Sequence, residues 1–257
     1  MSIYWLAGGN MERISDYTVI DMEMTGLAAK TDKVTEIGAV RIRKGRVEAT
    51  LGFLVNPGRQ IPDAVVQLTG ITNEMAAGGK PMDKAMQELL DFMGQDLIVG
   101  QNVNFDYSFL AQWCMNKKKS IQVQALDTLK IARMLLPADQ PKKLESLCAY
   151  FGIKRENAHR ALDDALETWQ LFEKLQDLAI QEQAAGSLSE EAFQKALCPV
   201  RLFYKAKRQT PATPHQIEGL KNFRTRHGIS DEVNWENLTR SEASRLMDRY
   251  YTIYGHT

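Results

Sequence analysis

Two carboxylates stand one residue apart at the end of an apolar run near the start of the chain. The stretch VIDMEMTGL covers residues 19–27 and contains Asp21 and Glu23. Side chains alternate between the two faces of a strand, so these carboxylates point the same way. Two carboxylates held side by side repel each other and raise each other's pKa, and a bound cation removes this repulsion. Carboxylate oxygens suit Mg²⁺ or Mn²⁺, although a D-x-E pair taken alone is more often a solvated strand end.

Further acids and one histidine follow along the chain. Asp106 comes just after a short apolar run, near the start of a predicted helix, where the helix dipole alone would favour an acid. His159 and Asp164 lie five residues apart in HRALDDALETW, which by itself also fits a polar helix face. Each of these motifs is weak evidence of catalysis. The informative feature is their order, with Asp21-x-Glu23 first, Asp106 second and His159-x4-Asp164 third.

The ordered set resembles the DEDDh exonuclease family, also called DnaQ-like, which includes proofreading subunits and domains of bacterial replicative DNA polymerases. The resemblance runs from about Tyr17 to Leu178 and includes the segments NPGRQIPDAVVQLTGITNEM, DTLKIARMLLP and KLESLCAYFGI. It implies an α/β fold, a ribonuclease H-like mixed β-sheet flanked by helices. It also implies a metal-dependent 3′–5′ exonuclease that hydrolyses phosphodiester bonds from the 3′ end of single-stranded or frayed DNA and releases nucleoside 5′-monophosphates.

The resemblance gives each of the five residues a role. Asp21, Glu23 and Asp164 would hold one metal ion, and Asp21 would bridge to a second ion with help from Asp106. Two Mg²⁺ or Mn²⁺ ions ~4 Å apart stabilise the attacking and leaving oxygens of a phosphodiester displacement. His159 would deprotonate the attacking water, because an unperturbed pKa of ~6.5 lets imidazole accept a proton near neutrality.

The resemblance also implies contacts with the 3′-terminal nucleotide. Gly26 would let the backbone approach the ligand closely, and Leu27 would pack on the terminal base or sugar, with core packing as its alternative role. The candidate substrate-binding residues are Met24, Thr25, Gly26, Leu27, Asn102 and Phe105. The chain departs from the family at Met24, where threonine is usual, and at Gln101, where histidine is common. These departures concern substrate fit and rate rather than reaction class.

Two other functions stay open. DMEMTGL and HRALDD also resemble oligoribonuclease, which trims very short RNAs, so an RNA 3′-exonuclease is an alternative. The NPGRQIP and LTGIT segments and the NVNFDYSF motif favour the polymerase-proofreading type instead. An alternative of another class is a non-catalytic nucleic-acid-binding module. Its sign would be the loss of a carboxylate or of the histidine, and all five residues are present.

Composition sets the broad class of the protein. The 257 residues are 44% hydrophobic and 25% charged, a composition typical of a globular protein. The formal net charge is +0, so the chain as a whole has no positive charge that would attract a polyanion. Three cysteines far apart predict no disulfide framework and favour a cytoplasmic location. The start MSIYWLAGG does not fit a signal peptide, and no run reaches transmembrane length.

The expected partners are DNA with single-stranded 3′ ends, with RNA as the alternative, and a DNA polymerase or another replication or repair protein, but no membrane.

The pattern predicts two domains. Residues 1–182 would form the exonuclease domain, with an opening hairpin that turns at Lys44-Gly45, a loop over NPGRQIPDAVVQLTGIT and a helix capped by Asp127. The polar stretch QEQAAGSLS marks a boundary, and the capping-box spacing of Ser187 and Glu190 predicts a helix start. Residues 187–257 would form a small helical C-terminal module of unknown role.

The predicted module contains basic residues interleaved with aromatic ones. Between Arg201 and Arg226 there are seven lysines and arginines and one acid, Glu218. Basic and aromatic residues together suit single-stranded nucleic acid. A solvated helix face around a small core is the alternative interpretation.

Overall fold

A computed structural model describes residues 13–155, 159–231, 233–235 and 238–255 of the chain, so the apolar start MSIYWLAGG lies outside the described residues. One mixed sheet has the strand order β4-β3-β2-β1-β5-β6-β7. Its strands are β1 Tyr17–Met24, β2 Val34–Arg43, β3 Arg46–Asn56, β4 Lys80–Pro81, β5 Ile98–Gly100, β6 Gln124–Asp127 and β7 Val200–Arg201. Strand β1 is antiparallel to β2 and parallel to β5, and β5 is parallel to β6. The predicted hairpin turn at Lys44-Gly45 joins β2 to β3.

Helices cover both faces of the sheet, which confirms the predicted ribonuclease H-like architecture. The helices are α1 Asp63–Thr69, α2 Asn73–Ala77, α3 Met82–Met93, α4 Asn104–Asn116, α5 Thr128–Leu135, α6 Leu144–Phe151, α7 Ala161–Ala184, α8 Glu190–Leu197, α9 Pro214–His227 and α10 Arg240–Tyr254. Asp127 caps α5 as predicted, accepting a hydrogen bond from the Leu129 N–H at 3.0 Å. None of the described helices has the length and apolar composition that crossing a membrane requires.

The alternation of side chains along β1 explains where its two acids lie. Ile20 and Met22 belong to the core between the sheet and helices α3 and α4. Val19 belongs to the other core, between the sheet and helices α5 to α8. Because side chains alternate, Asp21 and Glu23 continue the Val19 face and lie under the beginning of α7. The strand therefore carries apolar anchors on one face and carboxylates at the end of the other.

Two local predictions are wrong. The segment predicted as a loop after β3 contains α1, whose Val65 and Val66 pack against buried Ile61. Its proline and glycine lie at the two ends of the helix, where they start and stop it rather than break it. Helix α8 is capped by Ser189, which accepts from the Ala192 N–H at 3.2 Å, and not by Ser187, because Ser187 still belongs to the turn that ends α7.

The residues after α7 divide differently from the predicted boundary. Phe193 and Leu197 of α8 lie in the α5 to α8 core, and β7 pairs antiparallel with β6 at the edge of the sheet. Helices α9 and α10 instead share a separate small core around Leu220, Phe223 and Tyr250. We therefore propose a sheet domain that extends to residue 209 and a two-helix module that begins at residue 210. A capping box formed by Thr239 and Glu242 opens α10 of that module.

Candidate active site

The carboxylates predicted from the sequence meet at the end of β1. One ligand-capable atom from each of Glu23, His159 and Asp164 lies within 4.8 Å of the others. The charges of Asp106 and Asp164 both act on Asp21. The structure therefore brings all five predicted residues into one site, although they come from a strand and from the starts of two helices far apart in sequence.

Asp106 is held by the edge of β1. Strand β5 is short and pairs with β1 only at Thr18 and Val19, so the β1 edge continues past the end of its neighbour. There the Met22 N–H donates to Oδ1 of Asp106 at 3.0 Å. The side chain is 4% exposed and lies in the first turn of α4. One oxygen of Asp106 thus replaces a missing strand partner, and the carboxylate is fixed beside the acids of β1.

Asp164 is placed by a close contact between α7 and β2. A Cβ at Gly38 would lie 2.2 Å from the carbonyl carbon and oxygen of Ala161, so only glycine lets the helix start so near the strand. Two residues earlier in β2, buried Glu36 accepts from the Ala161 N–H at 3.0 Å and from Nη2 of Arg160 at 2.7 Å. A carboxylate at a helix N-terminus is stabilised by the helix dipole. Together these contacts dock the first turn of α7, and with it Asp164, on the sheet.

Burial and mutual repulsion raise the pKa values of the acids. Burial raises the pKa of Asp21 well above its ordinary value, and the nearby charges of Asp106 and Asp164 add to the shift. Burial, with Asp164 and Glu36 contributing, raises the pKa of Glu23 to about 7. Burial also raises the pKa of Asp106, against the hydrogen bond from Met22. Negative charge concentrated on oxygen donors fits a hard divalent cation such as Mg²⁺ or Mn²⁺, which would relieve this repulsion.

A buried ion-pair network links Asp164 to Arg155 and Glu167, and sequence reasoning missed it. Nη2 of Arg155 lies 2.7 Å from Oδ1 of Asp164, and its Nε lies 2.7 Å from Oε2 of Glu167. Burial raises the pKa of Glu167 to about 7, and Arg155 opposes that shift. Glu167 is one helical turn after Asp164, so the i, i+3 spacing on α7 is the sequence signal that could have indicated Glu167 as a neighbour of Asp164.

His159 lies in the turn just before α7, next to the N-cap residue Arg160. Its φ of 62° is in the left-handed region, which is uncommon for residues other than glycine. Such a conformation persists only where the surrounding contacts hold it, and it is often associated with function. A ring nitrogen of His159 lies within 4.8 Å of carboxylate oxygens of Glu23 and Asp164.

The segment after Glu23 differs in part from its predicted role. Met24 is 7% exposed and Thr25 is 3% exposed, and the Thr25 hydroxyl accepts from the Lys33 N–H at 3.0 Å. A Cβ at Gly26 would meet the Asp32 carboxylate at 2.6 Å, so the close approach that requires glycine is to that carboxylate. Leu27 is 86% exposed, which excludes core packing and leaves its side chain accessible to a ligand.

The remaining substrate-binding candidates lie around the start of α4. Asn102 is exposed, has a φ of 58°, and donates its N–H to Oδ1 of Asp127 at 2.9 Å. Phe105 is half-buried and packs edge-to-face on Phe109 with ring centroids 5.5 Å apart. The structure thus places both residues near Asp106 on the same turn. It does not bring Phe105 fully to the surface.

Gln101, where the family often has histidine, connects three segments of the sheet domain. Its Oε1 accepts from the Thr128 hydroxyl at 2.6 Å, and its Nε2 donates to the Lys142 carbonyl at 2.9 Å. The amide offers a donor and an acceptor at one site, which suits these two partners. This departure therefore has a structural role beside the site.

Comparison with known proteins identifies the class. A family model described as Exonuclease, RNase_T, matches residues 18–172, and the chain belongs to this exonuclease family. The DNA polymerase III subunit epsilon of Aquifex aeolicus is 34% identical over 160 residues, which are 62% of this chain and 79% of that protein. The PolC-type DNA polymerase III of Clostridium perfringens is 34% identical over 165 residues, covering 64% of this chain but only 11% of that protein.

A solved structure confirms the fold. The nuclease domain of 3′hExo, a DEDDh family member bound to rAMP, superposes with a TM-score of 0.52 at 19% sequence identity, covering 67% of this chain and 94% of that one. The exonuclease family inferred from the ordered acids and histidine is confirmed by the family match, and the fold of this chain is shared with a solved DEDDh family member.

Proposed function

We propose that the protein is a divalent-metal-dependent 3′–5′ exonuclease that hydrolyses phosphodiester bonds at the 3′ end of single-stranded or frayed DNA and releases nucleoside 5′-monophosphates. The observation that carries the proposal is the convergence of Asp21, Glu23, Asp106 and Asp164 with His159 at the end of β1. Membership of the exonuclease family supports the reaction class.

The carboxylates are the proposed metal ligands. Asp21, Glu23 and Asp164 would hold one Mg²⁺ or Mn²⁺, and Asp21 with Asp106 would hold a second. When bound, such a pair of ions stabilises the attacking and leaving oxygens of the phosphodiester. The fixed hydrogen bond from Met22 to Asp106 and the ion pair from Arg155 to Asp164 hold these carboxylates in place before any ligand arrives.

The other residues of the site would act on water and on the terminal nucleotide. His159 would accept the proton of the attacking water at an imidazole nitrogen that lies near Glu23 and Asp164. The exposed Leu27 side chain would pack on the terminal base or sugar. Met24, Thr25 and Gly26 would hold Leu27 in position for this contact, since they are buried or packed against Asp32.

DNA is the proposed substrate because the relatives are by name DNA polymerase III components. For the same reason a DNA polymerase is a proposed partner. The rAMP bound to the 3′hExo domain favours RNA as the second candidate substrate. The chain matches only 11% of the PolC-type protein, so the role of a larger assembly belongs to these proposals.

One assay tests the proposal. Single-stranded DNA and RNA of equal length, each labelled at the 5′ end, are incubated with Mg²⁺, Mn²⁺ or EDTA. A ladder that shortens from the 3′ end, release of 5′-monophosphates, inhibition by EDTA and a block by a 3′-phosphate are expected. Asp164→Asn should abolish the ladder, whereas Asp163→Asn, at a partly exposed neighbouring position on the same helix, should not. Hydrolysis in EDTA, or an active Asp164→Asn protein, would refute the metal site.

A further inference from the structure

A cleft of about 1150 Å³ separates the sheet domain from the two-helix module. Its sheet-domain wall includes Thr31, Lys33 and the loop after β3. Its other wall is formed by residues 208–211, which lead from the sheet domain into the two-helix module, and by α10. Basic side chains line both walls, namely Lys33, Arg59, Lys117, Arg208, Arg245 and Arg249. We call this feature the basic cleft.

The acids that line the basic cleft are already engaged by other groups. Asp83 accepts from Nε1 of Trp113 at 2.9 Å and pairs with Lys117. Asp231 pairs with Arg224 and Arg249. Glu242 accepts from the Thr239 N–H at 2.9 Å as part of the α10 capping box.

A positive excess remains in the basic cleft. Within the part of the chain that the structure describes, Lys33, Arg59, Arg208 and Arg245 pair with no carboxylate. Arg59 donates only to the Thr31 carbonyl, at 2.9 Å. Basic side chains that face a cleft from two walls concentrate positive potential there and attract a polyanion, although the whole chain has a net charge of +0.

The basic cleft adjoins the candidate active site. Thr25 and Lys33 bind each other through two hydrogen bonds, from the Thr25 N–H to the Lys33 carbonyl at 2.8 Å and from the Lys33 N–H to the Thr25 hydroxyl at 3.0 Å. The next cross-strand pair is Met24 with Val34, beside Glu23. The segment proposed to hold the 3′-terminal nucleotide is therefore hydrogen-bonded directly to Lys33, a residue that lines the cleft.

Polar contacts hold the two walls at a fixed separation. The Gln209 N–H donates to Oδ1 of Asn116 at 2.9 Å, and the Gln209 side-chain amide donates to the Lys30 carbonyl. Across the opening, Nδ2 of Asn234 donates to the Gly58 carbonyl at 2.7 Å. The cleft is thus a built feature that joins the two-helix module to the loops beside the site.

We propose that the basic cleft binds the sugar-phosphate backbone of a single strand a few nucleotides upstream of its 3′ end. The inference rests on the proposed exonuclease function for the direction of the strand, but strand binding itself is independent of hydrolysis. Phosphate contacts from flexible cationic side chains give affinity without reading sequence. The two-helix module therefore makes the protein favour strands long enough to reach the cleft over very short ones.

Binding measured in EDTA, with hydrolysis stopped, tests the proposal on the full chain. The variant Arg208→Gln with Arg245→Gln removes two cleft charges, and Arg226→Gln with Arg240→Gln removes two exposed charges of the module outside the cleft. Fluorescence anisotropy of labelled oligothymidylate, long or only two nucleotides in length, is recorded over a series of salt concentrations. Thermal melts check that both variants are folded, and Lys33→Gln on the opposite wall serves as an independent second variant.

The cleft variant should bind the long strand at least about tenfold more weakly, and the slope of log affinity against log salt should become shallower by about 1.4, because each phosphate contact to a single strand contributes about 0.7. The matched variant should bind like the wild type, and the dinucleotide should show no difference. Equal losses in both variants, or competition by polyglutamate as strong as by oligothymidylate, would overturn the inference. Normal cleft binding without hydrolysis in Mg²⁺ would instead refute the proposed function alone.

Discussion

Gly38 of β2 lies directly against the backbone of Ala161, the first residue of α7, with room for a hydrogen atom but not for a methyl group. Gly38 is also the cross-strand partner of Asp21. Gly38 is therefore the neighbour of a proposed metal ligand in the sheet. It also sets the distance between the sheet and the helix that carries Asp164. The geometry of the acid cluster therefore depends on Gly38 having no side chain.

Replacing Gly38 with alanine should separate α7 from the sheet. The added Cβ would lie 2.2 Å from the Ala161 backbone, so the helix must shift, and overpacking of this kind costs about 1–3 kcal/mol. Since a shift of about 1 Å at a reacting centre can lower a rate by ~10²-fold, turnover should fall more than thermal stability suggests. Melting and exonuclease rates measure the two effects. Gly78→Ala is the control, because its nearest neighbour would be 3.6 Å away, and a fully active Gly38→Ala protein would contradict the account.

Removing the cation between Asp164 and Glu167 should lower the stability of the fold more than it lowers exonuclease activity. Arg155→Met leaves two acids that are 6% and 4% exposed without their shared partner, and an uncompensated buried charge costs about 3–5 kcal/mol. Adding Glu167→Gln to Arg155→Met should recover part of the lost free energy of unfolding. Chemical denaturation of the two single variants and the double variant completes a thermodynamic cycle. Additive effects in that cycle would show that Arg155 and Glu167 do not act together.

The stability of the metal-free protein should fall with rising pH because of Glu23. Its pKa is raised from an ordinary 4.5 to about 7 in the fold, mainly by burial, so the folded protein binds this proton more tightly than the unfolded chain does. Stability is therefore lost as the pH rises from about 4.5 to about 7, and no more is lost through Glu23 above that range. Unfolding in EDTA should show the wild type losing stability relative to Glu23→Gln across this window. A difference between the two proteins that is the same at every pH would disprove the assignment.

Replacing His159 should slow hydrolysis with little effect on substrate binding. Loss of a general base typically lowers turnover by ~10² to 10⁴. The left-handed backbone at φ 62° complicates an alanine variant, so His159→Asn is the better test, because asparagine tolerates that conformation and lacks a suitable base. Both kcat and KM are measured, with melting curves to show an intact fold. An asparagine variant with normal kcat would assign the imidazole no part in proton transfer.

The position of a truncation should decide whether the rest of the chain folds. A protein that ends after Gln209 keeps α8 and β7 and loses only the separately packed two-helix module. It should melt cooperatively and hydrolyse very short substrates. A protein that ends after Gly186 also loses Phe193 and Leu197 from the α5 to α8 core and should aggregate. Equal behaviour of the two proteins in melting and gel filtration would disprove the proposed boundary.

Much of the site could be predicted from the sequence, because the patterns that indicate it are local. The alternation along β1 placed Asp21 and Glu23 on one face, and family spacing selected Asp164, which the structure buries, over the partly exposed Asp163. Helices and strands followed their apolar periodicity in the same way. Helices α1 and α2 were not predicted, and α1 lies between proline and glycine in a segment whose turn signals obscured it.

The residues that support the acids could not be predicted in this way. Glu36 faces Glu23 only because of the register between β1 and β2, and its partner Arg160 is 124 residues away. Arg155 pairs with Asp164 and Glu167 of α7, and no periodicity in the sequence predicts these pairings. Such contacts depend on tertiary packing, so a single sequence contains the residues but not their pairing.

The distance along the chain between Glu36 and the start of α7 sets when the nuclease can first exist. A ribosome adds about 5–20 residues per second, so the 124 residues between Glu36 and Arg160 take roughly 6 to 25 s to make. A nascent chain that stops before residue 159 has Asp21, Glu23 and Asp106 but neither His159 nor Asp164. Under the proposed mechanism such a chain lacks the general base and one metal ligand, so it should not cleave nucleic acid.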